Sequence, residues 1–434
     1  MPLSAALHFV LECARRSCGA RAYPLAANPD WPRVLQHAEE QSLFVAVAEI
    51  VADSNEVAAP HAVQKPLQVR AAIAKMQRRL RQEPGIRRVL ATLLDAGCDP
   101  IVLKGVALAY TRYARPDYRS FADLDILLPA SQLDGAYREL LRAGFQIDDA
   151  AVQPVGHQHL PPLFAPQREI VVELHSTLFD SECPFDIDID AWIARAVPAT
   201  ILDRNVRMLS PADAILHTAA HLSYGHRYLR HPLRSLTDLL ALSRYGDVDW
   251  EQVASVARSS RMDGAVVWPL ALARSWLDAP IPTPVLQKLL PAQPLRRLIG
   301  VAASSGYILD RTAISDDGTA VAYDRLLELS LLGQSSIRGR GKMLLGGLFP
   351  LSDYVPRQAS DVPGTAAQRA LHLVHPVRIA RGIKAMAKLI AQRGELVEQT
   401  DAPGVRLEGP ESSHPARLES ASIVELREPT GSGG

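Results

Sequence analysis

Apolar positions at three- and four-residue spacing run through the first 98 residues, so "ALHFVLECARR", "WPRVLQHAEEQSLFVAVAEIVA" and "AVQKPLQVRAAIAKMQRRLRQEPGIRRVLATLLDAG" each read as helical. Pro84 and Gly85 fall inside the last of these and predict a break or kink there. From Pro100 the period changes. "PIVLKG" is a short apolar run ending in Gly105, "VALAYTRYA" is helical, and "SFADLDILLP" is an apolar strand closed by Pro129. Ser131 is placed to cap a helix over "QLDGAYRELLRAG", which Gly144 ends before the strand "FQID". Two further strand candidates, "HQHLPPLFA" and "REIVVELHSTL", complete a mixed sheet expected over residues 100–180.

Beyond residue 186 the pattern is helical again, through "DIDAWIARAV", "SPADAILHTAAHLSYGH", "LRSLTDLLALSRYG", "WEQVASVARSSR" and "GAVVWPLALARSWL". Ser210 and Pro211 form an N-cap followed by proline at the first helical position. Helices are expected to about residue 393, and the polar, Pro- and Gly-containing tail is expected to be disordered. The predicted architecture is α+β: a small mixed-sheet core over 98–185, a helical region over 1–97, a helical domain over 186–393 and a tail over 394–434.

Two acids interrupt the apolar run "FADLDILL", where ionised carboxylates are expensive to desolvate. A strand alternates its faces, so Asp123 and Asp125 project from one side while Leu124 and Ile126 enter the other. Like charges about 6–7 Å apart on one face repel unless a cation lies between them, and a hard divalent ion such as Mg²⁺ suits carboxylate oxygens. The alternative is an Asp pair at a strand end, solvated or paired with Arg119 or Arg115. One short helix earlier, "VLKG" takes a strand into a helix whose N-terminus, with Lys104, suits a phosphate. In "EIVVELHSTL", Glu173 is a third acid in an apolar strand, with His175 on the same face two residues on. Pairing of Glu173 with an arginine is its structural alternative.

Charge and cysteine usage narrow the classes. Lys and Arg number 47, as do Asp and Glu, which argues against gathering nucleic acid or acidic membrane by overall charge. A local cluster, Arg78, Arg79, Arg81, Arg87 and Arg88, reads as the solvated face of a helix, with an anion-binding surface as the alternative. Cys13, Cys18, Cys98 and Cys183 show neither a CxxC pair nor zinc-finger spacing, so a reducing cytoplasm is the expectation. The amino terminus lacks the basic and clean apolar regions of a signal peptide, and no uncharged apolar run approaches the roughly 18 residues of a membrane span.

Taken together, "VLKGVALAYTRYARPDYRSFADLDILLP" and "VVELHSTL" resemble the uncharacterised bacterial nucleotidyltransferases of the DNA polymerase β-type superfamily, over roughly residues 98–245. Lys104 and Gly105 stand where that superfamily usually has Gly-Ser, and the third acid is Glu where many members carry Asp. The resemblance implies nucleotidyl transfer from a nucleoside triphosphate held with two Mg²⁺ ions, by attack of an acceptor hydroxyl on the α-phosphorus. It assigns Asp123, Asp125 and Glu173 to metal binding and catalysis, with Glu173 nearer the acceptor. Lys104, Gly105, Arg119 and His175 fall to the nucleotide.

His217 and His221 sit four apart on a helix, with His226 and His231 beyond. A metal pair, polar groups lent to the cleft, and buried histidines without ligand duty all fit that spacing; the absent Glu after the first His argues against a zinc protease. Asp238, the one acid in "SLTDLLAL", is expected to pair with one of them, and His157 and His159 are peripheral candidates. Three functions fit the sequence. The first is an Mg²⁺-dependent nucleotidyltransferase acting on a small molecule, peptide or protein; the second is a catalytically silent nucleotide-binding or scaffold protein of the same fold. The third is a toxin-type transferase that modifies nucleic acid through the arginine-rich helix.

Overall fold

Among the described residues, seven short strands form one mixed sheet in the order β3-β4-β5-β2-β1-β7-β6. They are β1 (Ile101–Val102), β2 (Asp123–Leu127), β3 (Gln146–Ile147), β4 (Leu163–Phe164), β5 (Val171–His175), β6 (Val197–Ile201) and β7 (Arg204–Met208). The structure is a computed structural model that describes residues 4–289, other than 58, 148–157, 166–169, 181–182, 227 and 229–230. All of the described residues belong to one unit, Met1–Leu389. The helices expected between 290 and 393, the tail, and His157 lie outside the described residues.

Five helices precede the sheet: α1 (Ala5–Ser17), α2 (Trp31–Glu40), α3 (Phe44–Asp53), α4 (His61–Gln77) and α5 (Glu83–Asp95). Between α4 and α5 the helix widens into a π-helical segment, Arg78–Gln82. Pro84, the second residue of α5, has no N–H to return to the preceding turn, and the chain meets this with the π-helical segment and stays helical from His61 to Asp95, without the break expected at Pro84 and Gly85. Two helices lie between β1 and β3, α6 (Lys104–Thr111) and α7 (Ala130–Arg142). The α7 N-cap position is Pro129 and lacks a side-chain cap, so Ser131, predicted as the cap, sits inside the first turn instead. After β5 come α8 (Ile189–Arg195), α9 (Pro211–Ala220), α10 (Pro232–Ser243), α11 (Trp250–Ser259), α12 (Asp263–Leu277) and α13 (Thr283–Leu289). Ser210 caps α9 as expected, its Oγ accepting from the Asp213 N–H at 3.2 Å.

The sheet separates two apolar cores. Leu124 and Ile126 of β2, Val172 and Leu174 of β5, and Val102 of β1 face α5, α6 and α7, where they meet Ile86, Leu90, Val106 and Leu140. On the other face Ile101 and Leu127 join a larger core built from helices at both ends of the sequence, including Leu7, Val47, Leu216, Leu239 and Trp268. α1 packs on α10 and α12 as well as on α2 and α3. No described helix is long and apolar enough to cross a membrane.

A purely helical segment after residue 186 is corrected by the β6–β7 hairpin, which pairs in register from Val197↔Met208 to Ile201↔Arg204 and lies parallel to β1 through Ile101↔Arg207. Its loop residues Leu202 and Asp203 both hold positive φ, 46° and 66°, a geometry that asparagine and glycine usually signal and that Leu-Asp does not. Pro198 is tolerated because β6 is an edge strand.

Candidate active site

Parallel pairing of β2 with β5 sets Asp125 directly opposite Glu173 and Asp123 opposite Val171. With period-two alternation, Asp123, Asp125, Glu173 and His175 therefore emerge together on the face away from Leu124, Ile126, Val172 and Leu174. Asp125 is the centre of the cluster. Its Oδ1 accepts from Lys104 Nζ at 3.1 Å and lies 2.9 Å from His175 Nε2. Glu173 Oε2 lies 3.6 Å from His175 Nε2 and 3.4 Å from His159 Nε2.

Electrostatics separate the two aspartates. Burial works against the Asp125 carboxylate, but the Lys104 ammonium and the His175 hydrogen bond outweigh it and hold its pKa well below the usual range. Asp123 has no side-chain partner among the described residues. Burial first, and then the Asp125 charge, push its pKa up to about 6. Burial disfavours the His175 imidazolium as well, yet its bonds to Asp125 and Glu173 carry its pKa above the ordinary value. His175 Nδ1 is buried without a hydrogen-bond partner.

The backbone around Lys104 is held tightly. Lys104 itself adopts φ 44°, where glycine would be free of strain, so this position uses its side chain at a conformational cost. At Gly105 a Cβ would stand 2.9 Å from the Phe121 Cβ, so the first turn of α6 can lie against the loop before β2 only without a side chain there. That loop is braced from outside: Arg78 donates to the carbonyls of Pro116 and Arg119, the latter at 2.6 Å, and its guanidinium lies over the Phe121 ring at 4.4 Å. Gln82 Nε2 donates to the Phe121 carbonyl at 3.2 Å.

Several residues occupy places other than those expected. Arg119 makes a buried two-pronged ion pair with Asp238, Nε to Oδ1 at 2.7 Å and Nη2 to Oδ2 at 2.8 Å, and Tyr113 Oη donates to the same Oδ1 at 2.7 Å. Asp238 thus pairs with an arginine and a tyrosine rather than with a histidine, because α10 lies against the loop that carries Arg119. Arg115 pairs with Glu49 at 2.7 Å and Asp53 at 3.5 Å, so neither arginine makes an ion pair with the strand aspartates. Of the arginine cluster only Arg78 leaves the solvated face, being buried; Arg87 makes solvent-open pairs with Asp203 and Glu83, and the exposed Arg88 donates to the Ala143 carbonyl. Arg79 and Arg81 keep exposed positions.

His217 is buried and His221 half-buried, and His217 packs edge to face against Phe179 at 5.7 Å and against His221 at 5.8 Å. Burial, then the nearby Lys104 charge, takes both pKa values well below the ordinary one, so both are neutral near pH 7. Their ligand atoms do not belong to a converging set. Among the described residues that set is Asp125, Glu173 and His175, with one ligand atom from each inside a 4.8 Å span. His231 Nδ1 lies 2.6 Å from the Glu40 carbonyl and 3.1 Å from Ser42 Oγ, tying α10 to the N-terminal helices.

One residue had no signal in the sequence beyond its spacing from Asp238. Arg234 stands one helical turn before Asp238 on α10, hence on the same face. Its Nε is buried without a partner, and its pKa is drawn down to about 10, by burial first and by Arg119 next.

A carboxylate without a side-chain partner among the described residues, beside a second carboxylate and with Glu173 in the neighbouring strand, is a donor set that fits a hard divalent cation. The His175 nitrogen adds a donor that softer first-row ions also accept.

A family model described as uncharacterised nucleotidyltransferase matches residues 27–278. The match extends well beyond the 98–245 region of the motifs and takes in α2 to α5 as well as α11 and α12. No curated protein and no solved structure matches the chain.

Proposed function

The chain belongs to the uncharacterised nucleotidyltransferase family, and from that premise we propose that it moves a nucleoside monophosphate from a nucleoside triphosphate to a hydroxyl of a small-molecule, peptide or protein acceptor. The observation that carries this reading is the gathering of Asp123, Asp125 and Glu173 on one sheet face beside Lys104, with Asp123 lacking a side-chain partner among the described residues. Asp123, Asp125 and Glu173 would hold the Mg²⁺ ions, with His175 orienting Asp125. Bound metal would supply neutralisation of the phosphate charge and a lowered pKa for the acceptor hydroxyl.

The residues of the chain then have separate tasks. Lys104 holds the Asp125 carboxylate in its ionised, ligating form. Glu173, partly open to solvent beside two imidazoles, takes the acceptor proton. The acceptor oxygen bonds to the α-phosphorus while the bond from that phosphorus to the bridging α,β-oxygen breaks, and pyrophosphate leaves. The Gly105 turn and the Arg78-braced loop fix the spacing of Lys104 from the aspartates.

One observation favours a catalytically silent nucleotide-binding protein as a second reading: Asp125 Oδ1 is already engaged by both Lys104 and His175. The test is calorimetry of ATP, GTP, CTP and UTP with Mg²⁺ on wild type, Asp123→Asn and Glu173→Gln, followed by transfer of α-labelled nucleotide to fractionated acceptors. Metal-dependent binding that Asp123→Asn abolishes, with label transfer that Glu173→Gln abolishes, is the expected result. Binding without transfer in any fraction favours the silent protein, and no binding at all overturns both.

A further inference from the structure

A nucleoside triphosphate brings about four negative charges, and the cations nearest the candidate site are already engaged. Lys104 Nζ is bound to Asp125, and Arg119 gives Nε and Nη2 to Asp238. Arg112 pairs with Asp247 at 2.8 Å and Arg115 with Glu49. The site histidines His175 and His159 face Glu173, while His217 and His221 are neutral by burial.

Arg234 is different. It projects from α10 on the face that carries Asp238, and it is close enough to Arg119, Asp238 and Asp123 to feel their charges. Asp238 is bonded by Arg119 and by Tyr113, and no bond from Arg234 reaches it. No hydrogen bond or ion pair of its guanidinium occurs among the described residues, and its Nε is shut off from water. A half-buried guanidinium with five donors and no acceptor is costly to maintain for stability alone.

Asp123 shows the complementary deficit: a carboxylate in the same polar region with no ion-pair partner among the described residues. The two do not pair with each other. A ligand that presents anionic oxygens to one and a divalent cation to the other would satisfy both, and a metal-bound polyphosphate has that composition.

We propose that Arg234 receives the β- and γ-phosphates of the nucleoside triphosphate, an inference that rests on the nucleotidyl-transfer reading above. Its planar fork is suited to two phosphate oxygens, whereas Lys104 stays with Asp125. The contact selects triphosphate over monophosphate, and it holds the pyrophosphate leaving group while the bond to the α-phosphorus breaks.

The experiment is calorimetry on the full chain with Mg²⁺, using the four nucleoside triphosphates, the matching monophosphates and inorganic tripolyphosphate as probes, on wild type, Arg234→Ala and Arg234→Lys. Arg234→Ala is expected to weaken triphosphate and tripolyphosphate about ten- to a hundredfold and to leave monophosphates within about twofold. Arg234→Lys is expected to recover part of the loss. Unfolding midpoints without ligand should match wild type, because Arg234 has no partner among the described residues to lose, and tripolyphosphate should raise the midpoint of wild type but not of Arg234→Ala. Unchanged triphosphate affinity in Arg234→Ala, or an equal loss for monophosphates, overturns the assignment. Arg234-dependent tripolyphosphate binding without binding of any nucleotide keeps the phosphate site and removes the nucleotidyl-transfer reading. Binding of neither probe by wild type overturns both.

Discussion

Lys104 Nζ and Asp125 Oδ1 stand 3.1 Å apart, with the aspartate sealed from water and the lysine in a left-handed backbone conformation. The ion pair and the strained backbone act in opposite directions on stability, which makes the position a sensitive probe. Lys104→Ala leaves a buried carboxylate with only His175 and is expected to destabilise the fold by about 3 kcal/mol. Lys104→Gly loses the same pair but relieves the backbone, so it should be more stable than Lys104→Ala by about 0.5–1 kcal/mol. Urea unfolding of both variants reads the difference, and the reverse order would refute the strain at Lys104.

Asp123 makes the stability of the metal-free protein fall as pH rises. Its folded pKa, about 6, is above the usual carboxyl value, so between about 4 and 6 the folded state holds more protons than the unfolded one. The resulting penalty is complete above about 6 and absent below about 4. Asp123→Asn should therefore stabilise the protein in EDTA at pH 8 by something on the order of 2 kcal/mol, and the gain should vanish at pH 4. Parallel unfolding midpoints at the two pH values, with no change in the gap, would show that Asp123 is not held in this way.

Divalent cation binding should carry the same titration. Ligating carboxylates must be ionised, so calorimetric affinity for Mg²⁺ or Mn²⁺ is expected to drop as pH falls from 7.5 through about 6. In wild type the unfolding midpoint should rise with metal, reaching about 2.7 kcal/mol of stabilisation at a hundredfold excess over Kd. Asp123→Asn and Glu173→Gln should lose most of this response. A response retained in both would place the ion elsewhere.

Crowding at Gly105 can be tested without touching a charge. A Cβ there meets the Phe121 Cβ at 2.9 Å, a backbone-anchored atom that cannot swing aside. Gly105→Ala is expected to cost about 1–3 kcal/mol and to weaken nucleotide binding through displacement of the Lys104 turn. Pairing it with Phe121→Ala, which removes only the outer ring and keeps the Cβ, should not restore binding. Full recovery in the double variant would mean that the ring rather than the backbone sets the spacing.

The β6–β7 turn gives a prediction for the fold alone. Leu202 and Asp203 both hold positive φ, so replacing them with Leu202→Asn and Asp203→Gly should stabilise the chain by about 0.5–1 kcal/mol. The lost Asp203 contact with Arg87 is exposed and contributes little. Calorimetric unfolding of the double variant measures the net effect.

Local periodicity by itself determined the helices on either side of the sheet, the cap at Ser210, and the shared face of Asp123 with Asp125 and of Glu173 with His175. Each of these depends on residues within a turn of helix or a few positions of strand. The hairpin Val197–Met208 stayed hidden because Pro198 and the Leu202–Asp203 turn carry the wrong local signals, and pairing beside β1 overrides them. Tertiary structure alone decided that Asp125 meets Glu173 across two strands, that Lys104 belongs to Asp125, and that Arg119 belongs to Asp238. It also decided that Arg234 keeps a buried Nε with no partner among the described residues. These are meetings of charges far apart in sequence. Which cation finds which carboxylate depends on strand register and helix packing, and neither is encoded in the spacing of the residues that finally touch.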